Sequence, residues 1–312
     1  MNIPTMKDDN IVQPFRLEST SIRGRIVRLG TVLQDIIQRH DYPAPVSFML
    51  SEAVTLCVLL SAMLKYDGIF TLQIKGSGPI HALVADATTD GKIRGYASFD
   101  EQGVKKLAKR KPDTENHFFH LLGKGYVSFT VDQDRDDVER YQGIVELQGE
   151  SLLDCVNFYF KQSEQIKTNF RLDIHPQDGQ WRAGAIMIQH MPSEQKGEIA
   201  EDISEEDWKR SSMLMETVRE NELLAPNLST QEVLYRLFHE EGVRVYEPFS
   251  VKHVCRCSKE RVENIIRTLP EDEINDILEE QGKVAVDCEF CSRNYSFEKE
   301  DVAALKQKGQ DA

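Results

Sequence analysis

The chain has 312 residues, 40% of them hydrophobic, which allows a sizeable core and, at about 150 residues per domain, more than one domain. Lysine and arginine total 38 against 52 aspartates and glutamates, a net charge of −14. That balance argues against a broad nucleic-acid or anionic-membrane surface and suits a soluble, self-repelling protein. The six cysteines are unevenly spread: Cys57 and Cys155 stand alone, whereas Cys255, Cys257, Cys288 and Cys291 fall within the last 58 residues.

The first ten residues hold no basic stretch followed by an apolar one, so no secretory signal is expected. The apolar stretch Val46 to Leu64 approaches bilayer length, but Ser47, Ser51, Glu52, Thr55 and Ser61 interrupt it. A buried core helix is the expectation. The expected compartment is the cytoplasm, where paired cysteines point to metal or redox chemistry more than to structural disulfides.

Residues 1–192 read as mixed helix and strand. Arg23 to Leu29 is a strand, and Thr31-Val-Leu-Gln34 has the pattern of a capping box opening a helix. The apolar helix 46–64 follows, then strands at Gly68 to Ile74 and Ile80 to Ala85 around Gly76-Ser-Gly78-Pro79. That glycine pair is no dinucleotide loop, because a proline and a strand follow it. Asp90-Gly91 marks a hairpin into Lys92 to Phe99, and Lys124 to Val131 and Arg140 to Leu147 are further strands. Ser151 caps a helix running to about Gln165, and Asn169 to Ile174 pairs with Trp181 to Gln189. The expected class is α+β: a sheet core with a buried apolar helix, then a helical linker and a small C-terminal zinc-binding domain.

Residues 193–254 change character. From 193 to 224 ten acidic side chains face four basic ones, so this stretch carries −6 of the −14. Ser204-Glu-Glu-Asp207 is a capping box, and the helix after it offers only a thin apolar stripe around Trp208, Met215 and Val218. Helices with little to bury are marginal in water. Ser229-Thr-Gln-Glu232 opens another helix with Val233, Leu234, Leu237 and Phe238 inward. The expectation is a helical linker of low intrinsic stability.

Residues 255–312 form the third unit. Ser258 starts a helix with Val262, Ile265, Ile266 and Leu269 on one face. A second short helix stops at Gly282, and Lys283 to Asp287 and Tyr295 to Phe297 flank Cys288-Glu-Phe-Cys291 as a hairpin. In an extended Cys255-Arg-Cys257 the two side chains share a face. Two such pairs aim four thiolates at one point, the usual form of a structural zinc site, so one zinc per chain is expected on Cys255, Cys257, Cys288 and Cys291. His253 is an alternative ligand, although four cysteines already complete the tetrahedron. Lys252, Arg256, Lys259 and Arg261 against Glu260 make the neighbourhood +3, which offsets a four-thiolate zinc and also keeps sulfur reactive. A unit this small has a marginal core, and zinc contributes ~10–16 kcal/mol apparent to such units against the ~5–15 kcal/mol net stability of a typical domain. Oxidising the sulfurs would remove the ligands, unfold the unit and release the linker.

Cys255-Arg-Cys257-Ser-Lys-Glu-Arg-Val262, Leu269-Pro270 and Cys288-Glu-Phe-Cys291 with Tyr295 and Phe297 resemble the redox switch of the bacterial thirty-three-kilodalton heat-shock chaperonin (HslO) family. His40-Asp-Tyr-Pro43, Gly76-Ser-Gly78-Pro79, Arg94-Gly-Tyr-Ala97, Glu139-Arg-Tyr-Gln-Gly143, Tyr159-Phe160 and Ser163-Glu-Gln165 are similar to that family's N-terminal domain. The resemblance spans nearly the whole chain and is weakest at 193–207 and at Lys105 to His120. It implies an ATP-independent holdase, inactive when reduced and zinc-bound. Oxidation would form Cys255–Cys257 and Cys288–Cys291 disulfides, release zinc and unfold the linker. The active form, commonly a homodimer, would bind unfolding client proteins. The resemblance also implies a core in which an apolar helix packs between sheets.

Two other classes compete. A structural zinc ribbon binding nucleic acid fits four cysteines but not the charge. A thiol–disulfide oxidoreductase fits Cys288-Glu-Phe-Cys291, but that pair does not open a helix after a strand. His81, His117 and His120 show no metal spacing, Cys57 and Cys155 read as buried inert thiols, and no nucleophile, base and orienter stand together, so no enzyme, nucleic acid or membrane partner is expected.

Overall fold

The computed structural model describes residues 8–109, 117–133, 140–164, 166–191, 205–219 and 221–310. The acidic run 193–204, the expected cap Ser204, and Glu139 and Gln165 of the resemblance lie outside the described residues. The chain divides into two compact units, Met1–His253 and Val254–Ala312.

Two six-stranded sheets form the first unit. In one, β1 (Ile11–Leu17), β2 (Ile22–Leu29), β9 (Gln180–His190) and β8 (Thr168–Gln177) lie in that order, with β10 (Val243–Val245) and β11 (Phe249–Ser250) along the outer side of β1. In the other the order is β12 (Lys252–His253), β5 (Lys92–Phe99), β4 (Ile80–Thr88), β3 (Gly68–Gly76), β6 (Gly125–Gln133) and β7 (Tyr141–Glu146). Helix α2 (Ala44–Ser61) contacts strands of both sheets. Fifteen of its eighteen residues are buried, because a helix apolar on every side must be covered on every side. Its hydroxyls bond back along the helix, Ser51 Oγ to Ser47 O and Thr55 Oγ1 to Ser51 O at 2.7 Å each, so they enter the core satisfied. By length and composition α2 could cross a membrane; here it is the core helix.

Other expectations are adjusted by long-range partners. Helix α1 (Thr31–Ile37) starts one residue early for a capping box, and Thr31 caps nothing. Asn10 Oδ1 instead accepts from the amides of Gly30 and Val32 at 3.0 and 3.1 Å, doing the cap's work from outside the helix. Strand β1 is masked in sequence by Pro14, which sits where the outer pairing passes from β10 to β11. Two short helices, α3 (Glu101–Ala108) and α4 (His117–Leu122), were not anticipated. Helix α5 (Leu152–Tyr159) is capped by Ser151, as expected, but gives way to a π-helical turn at Phe160–Glu164. Gly76 and Gly78 let the β3–β4 turn approach the backbone at Leu121 and Leu122, where any Cβ would collide.

The first sheet has two apolar faces, as alternation along a strand requires when both sides are covered. Val27, Leu29, Ala185 and Met187 face the core with α2. Phe15, Leu17, Ile22, Ile26, Ile186 and Ile188 point the other way and are covered by Met215, Val218, Leu223, Val233, Leu234, Leu237 and Phe238. The covering residues belong to α6 (Glu205–Glu216), α7 (Thr230–Phe238) and the turns beside them. Gly184 lets this layer sit close: a Cβ there would lie 2.7 Å from Leu223 Cβ. The buried Arg28 guanidinium donates to Glu222 O at 3.0 Å and to Leu228 O. Arg210 pairs with the buried Glu241 at 2.7 Å, and the Ser229–Glu232 capping box forms as expected. Beyond Glu241 the segment is no longer helical; β10, β11 and β12 strap it onto both sheets.

In the second unit α8 (Lys259–Thr268), α9 (Glu271–Gln281), the hairpin β13 (Lys283–Asp287) and β14 (Asn294–Glu298), and α10 (Lys299–Gln310) surround Val262, Ile266, Ile274, Val284, Phe297, Val302 and Leu305.

Candidate metal centre

The four C-terminal cysteines meet. Cys255, Cys257, Cys288 and Cys291 place their sulfurs within 4.8 Å of one another, and all four are half-buried free thiols. Between the pairs, Cys255 lies 3.6 Å from Cys288 and Cys257 lies 3.5 Å from Cys291. Four sulfurs about 2.3 Å from a tetrahedral zinc-type ion sit roughly 3.8 Å apart, so the cluster has the size of such a centre. It contains no histidine, so His253 is not one of its members.

Local chain geometry explains the convergence. Cys255 and Cys257 lie in the irregular stretch between β12 and the Ser258 cap, whose hydroxyl accepts from Arg261 N at 3.2 Å. Arg261 then donates to Arg256 O at 2.8 Å and ties the carbonyl between the two cysteines to the helix. Cys288 and Cys291 occupy the turn that joins β13 to β14. There Cys288 O accepts from Cys291 N at 3.2 Å and Ser292 N at 2.8 Å, with Ser292 in the left-handed region at φ 55°. The C-x-x-C pair therefore sits in a hairpin turn, not at the start of a helix, which removes the thioredoxin-like placement.

The thiols do not ionise alike. Burial raises Cys257, but the hydrogen bond from Tyr295 and the neighbouring sulfurs outweigh it and bring the thiol down to about 7. Burial pushes Cys291 up to about 12 and raises Cys288 as well. Tyr295 is the outer partner that spacing did not reveal: its hydroxyl donates to Cys257 Sγ at 3.2 Å. Arg293, outside the basic stretch Lys252 to Arg261, is a further partner that spacing does not reveal. Its pKa is raised by Tyr295 first and then by Cys257 and Cys291. Of the cations in that stretch, Lys259 lies over the Phe297 ring at 5.6 Å and near Glu263 at 4.0 Å.

Cys57 and Cys155 stand apart and are buried, as expected. Cys155 exchanges hydrogen bonds with the backbone of Gln148, and burial lifts its thiol to about 11. Among the described residues no other cysteine, histidine or carboxylate group converges as a metal site.

A family model described as Hsp33 protein matches residues 10–298. The 33 kDa chaperonin of Caulobacter vibrioides is 38% identical over 297 residues, covering 93% of this chain and 95% of that protein. The 33 kDa chaperonin of Escherichia coli is 35% identical over 298 residues, covering 96% and 95%. The crystal structure of the 33 kDa chaperonin of Thermotoga maritima superposes with a TM-score of 0.78 over 97% of this chain and 100% of that one, and at 23% identity it shows the shared fold. With its sheets, core helix and terminal cysteine cluster, the chain belongs to the Hsp33 protein family.

Proposed function

We propose that the chain is a redox-regulated holdase that protects unfolding proteins from aggregation without ATP, in the bacterial cytoplasm. The observation that carries this is the convergence of four sulfurs from two distant segments on one point. In the reduced state Cys255, Cys257, Cys288 and Cys291 hold one zinc ion, whose closed four-thiolate centre supplies ~10–16 kcal/mol apparent to a unit with a small core. Tyr295 orients Cys257, and Arg293 offsets the cluster's negative charge.

Oxidation proceeds within each motif: Cys255 joins Cys257 and Cys288 joins Cys291. For each disulfide two thiolates give up two electrons, and one hydrogen peroxide takes these with two protons from solvent and is reduced to two waters. All sulfurs are close in the folded cluster, so distance alone does not select the pairs. Chain connectivity does, because partners two or three positions apart stay together as the unit opens, whereas partners 33 or 34 positions apart must be held by the fold. Without four thiolates the metal leaves and the second unit loses most of its stability.

The consequence reaches the segment 205–253 through the chain, since His253 of β12 is two residues from Cys255. We take residues 193–254 as the linker, 1–192 as the chaperone core and 255–312 as the switch domain. When the linker lifts, Phe15, Leu17, Ile22, Ile26, Ile186 and Ile188 form a contiguous apolar sheet face suited to unfolded clients. The active form works as a homodimer, and no catalytic step on the client is required.

Peroxide at elevated temperature should release about one zinc per chain, remove four titratable thiols and suppress aggregation of a denatured enzyme. Zinc, thiols and light scattering are measured on one sample. Zinc loss without a gain in client protection contradicts the reading.

A further inference from the structure

The cavity between α2, α4, α5 and β8 has no part in the redox chemistry. It encloses about 530 Å³, within the ~300–1,000 Å³ span of ligand pockets. Phe48, Met49, Phe118, Leu172 and Ile174 make its walls apolar. Phe48 remains 43% exposed although it belongs to an otherwise buried helix.

The charged groups lining this space are Glu52 and Glu150, and no basic residue lines it among the described residues. Glu52 is buried, and its Oε1 accepts from Leu153 N at 3.1 Å across the α2–α5 contact. A glutamine would accept that hydrogen bond equally well. A carboxylate there carries a desolvation cost that an incoming cation would relieve. Burial already pushes the Glu52 carboxyl up to about 7, as expected of a buried acid without a countercharge.

We propose that this cavity is a docking pocket for an apolar polypeptide segment carrying a lysine or arginine. The apolar walls take one or two large side chains, and Glu52 takes the cation. The identity of the occupant rests on the chaperone reading, because an unfolding client is what presents such segments. The pocket would give the holdase a preference by charge that a plain apolar sheet face lacks.

Fluorescence anisotropy on the peroxide-activated full chain, in which α2 stays folded, tests this with three labelled peptides, identical apart from a central lysine, norleucine or glutamate among leucines and phenylalanines. The lysine peptide should bind about tenfold tighter than the glutamate peptide, as a charge-assisted hydrogen bond in a desolvated site implies, with norleucine between them. Glu52→Gln should erase the lysine-over-norleucine preference. Phe48→Ser, at an exposed position outside the buried core, should weaken all three peptides alike. Equal binding of lysine and norleucine, a preference that survives Glu52→Gln, or indifference to Phe48→Ser overturns the pocket. Suppression of aggregation after peroxide, measured on the same samples, separates the two claims. If it rises while the peptides are not discriminated, the pocket alone fails. If it does not rise, the chaperone reading falls and with it the client as occupant.

Discussion

The two units keep their shape by different means. The first wraps two sheets around α2, whose buried side chains include Leu50, Leu56 and Leu59 at 0% exposure. Each such residue contributes roughly 1.5–3 kcal/mol by burial, and no oxidant within physiological reach alters that term. The second has seven buried apolar side chains among its described residues and four sulfurs. Where the apolar core is small, a metal held by those four sulfurs would supply the balance. On the proposed reading the stability of that unit varies with the oxidation state of its sulfurs, whereas that of the first does not.

Removing the metal should break the comparison most sharply. A strong chelator under reducing conditions should abolish cooperative unfolding of 254–312, a loss of about 10–16 kcal/mol apparent, and leave the main calorimetric transition of the first unit in place. A second unit that still melts cooperatively without metal would mean that its seven-residue core suffices.

The first unit should instead respond to protons, through Glu52. Its carboxyl is raised from 4.5 to about 7 by burial, with hydrogen bonds from Leu153 and Leu152 opposing. The folded state thus holds the proton more tightly than the unfolded one. The associated stability is complete below about pH 4.5 and is lost as pH rises through 7, about 3 kcal/mol in all. Denaturant melts of the first unit's transition at pH 5 and pH 8 should show this difference, and Glu52→Gln should remove it.

Gly184→Ala probes the layer between the two regimes. Its new methyl meets Leu223, and overpacking of this kind costs roughly 1–3 kcal/mol. Amide exchange in 205–241 should quicken while metal content stays unchanged, and basal client protection in the reduced state should rise. The smallest effect is expected from Tyr295→Phe, which removes the hydroxyl on Cys257 and should weaken metal affinity by about tenfold in a chelator competition.

What was legible in the sequence follows the same division between local and distant causes. The cysteine spacing, the apolar run of α2 and the capping residues Ser151, Ser229 and Ser258 are local signals, and each acts where it stands in the chain. Strand β1 was hidden by Pro14, which is tolerated only because β10 and β11 leave a break opposite it. The strands β10, β11 and β12 are two or three residues long and exist through partners some 160 to 240 positions away. The stripe on α6 reads as thin because its helix is judged alone. Met215, at 0% exposure, shows what the stripe is for: one layer against a sheet face assembled from β1, β2 and β9. Tyr295 and Arg293 reach the sulfurs through the hairpin, which spacing alone does not specify.

The central claim is that sulfur chemistry in one unit controls the cover on a sheet in the other. Hydrogen exchange read by mass spectrometry on the full chain, before and after peroxide has consumed four thiols, tests it most directly. Protection should vanish across 254–310 and fall in α6 and α7, while α2 stays protected. If α6 and α7 keep their protection after the sulfurs are oxidised and the metal has gone, the switch does not reach the sheet and the account is wrong.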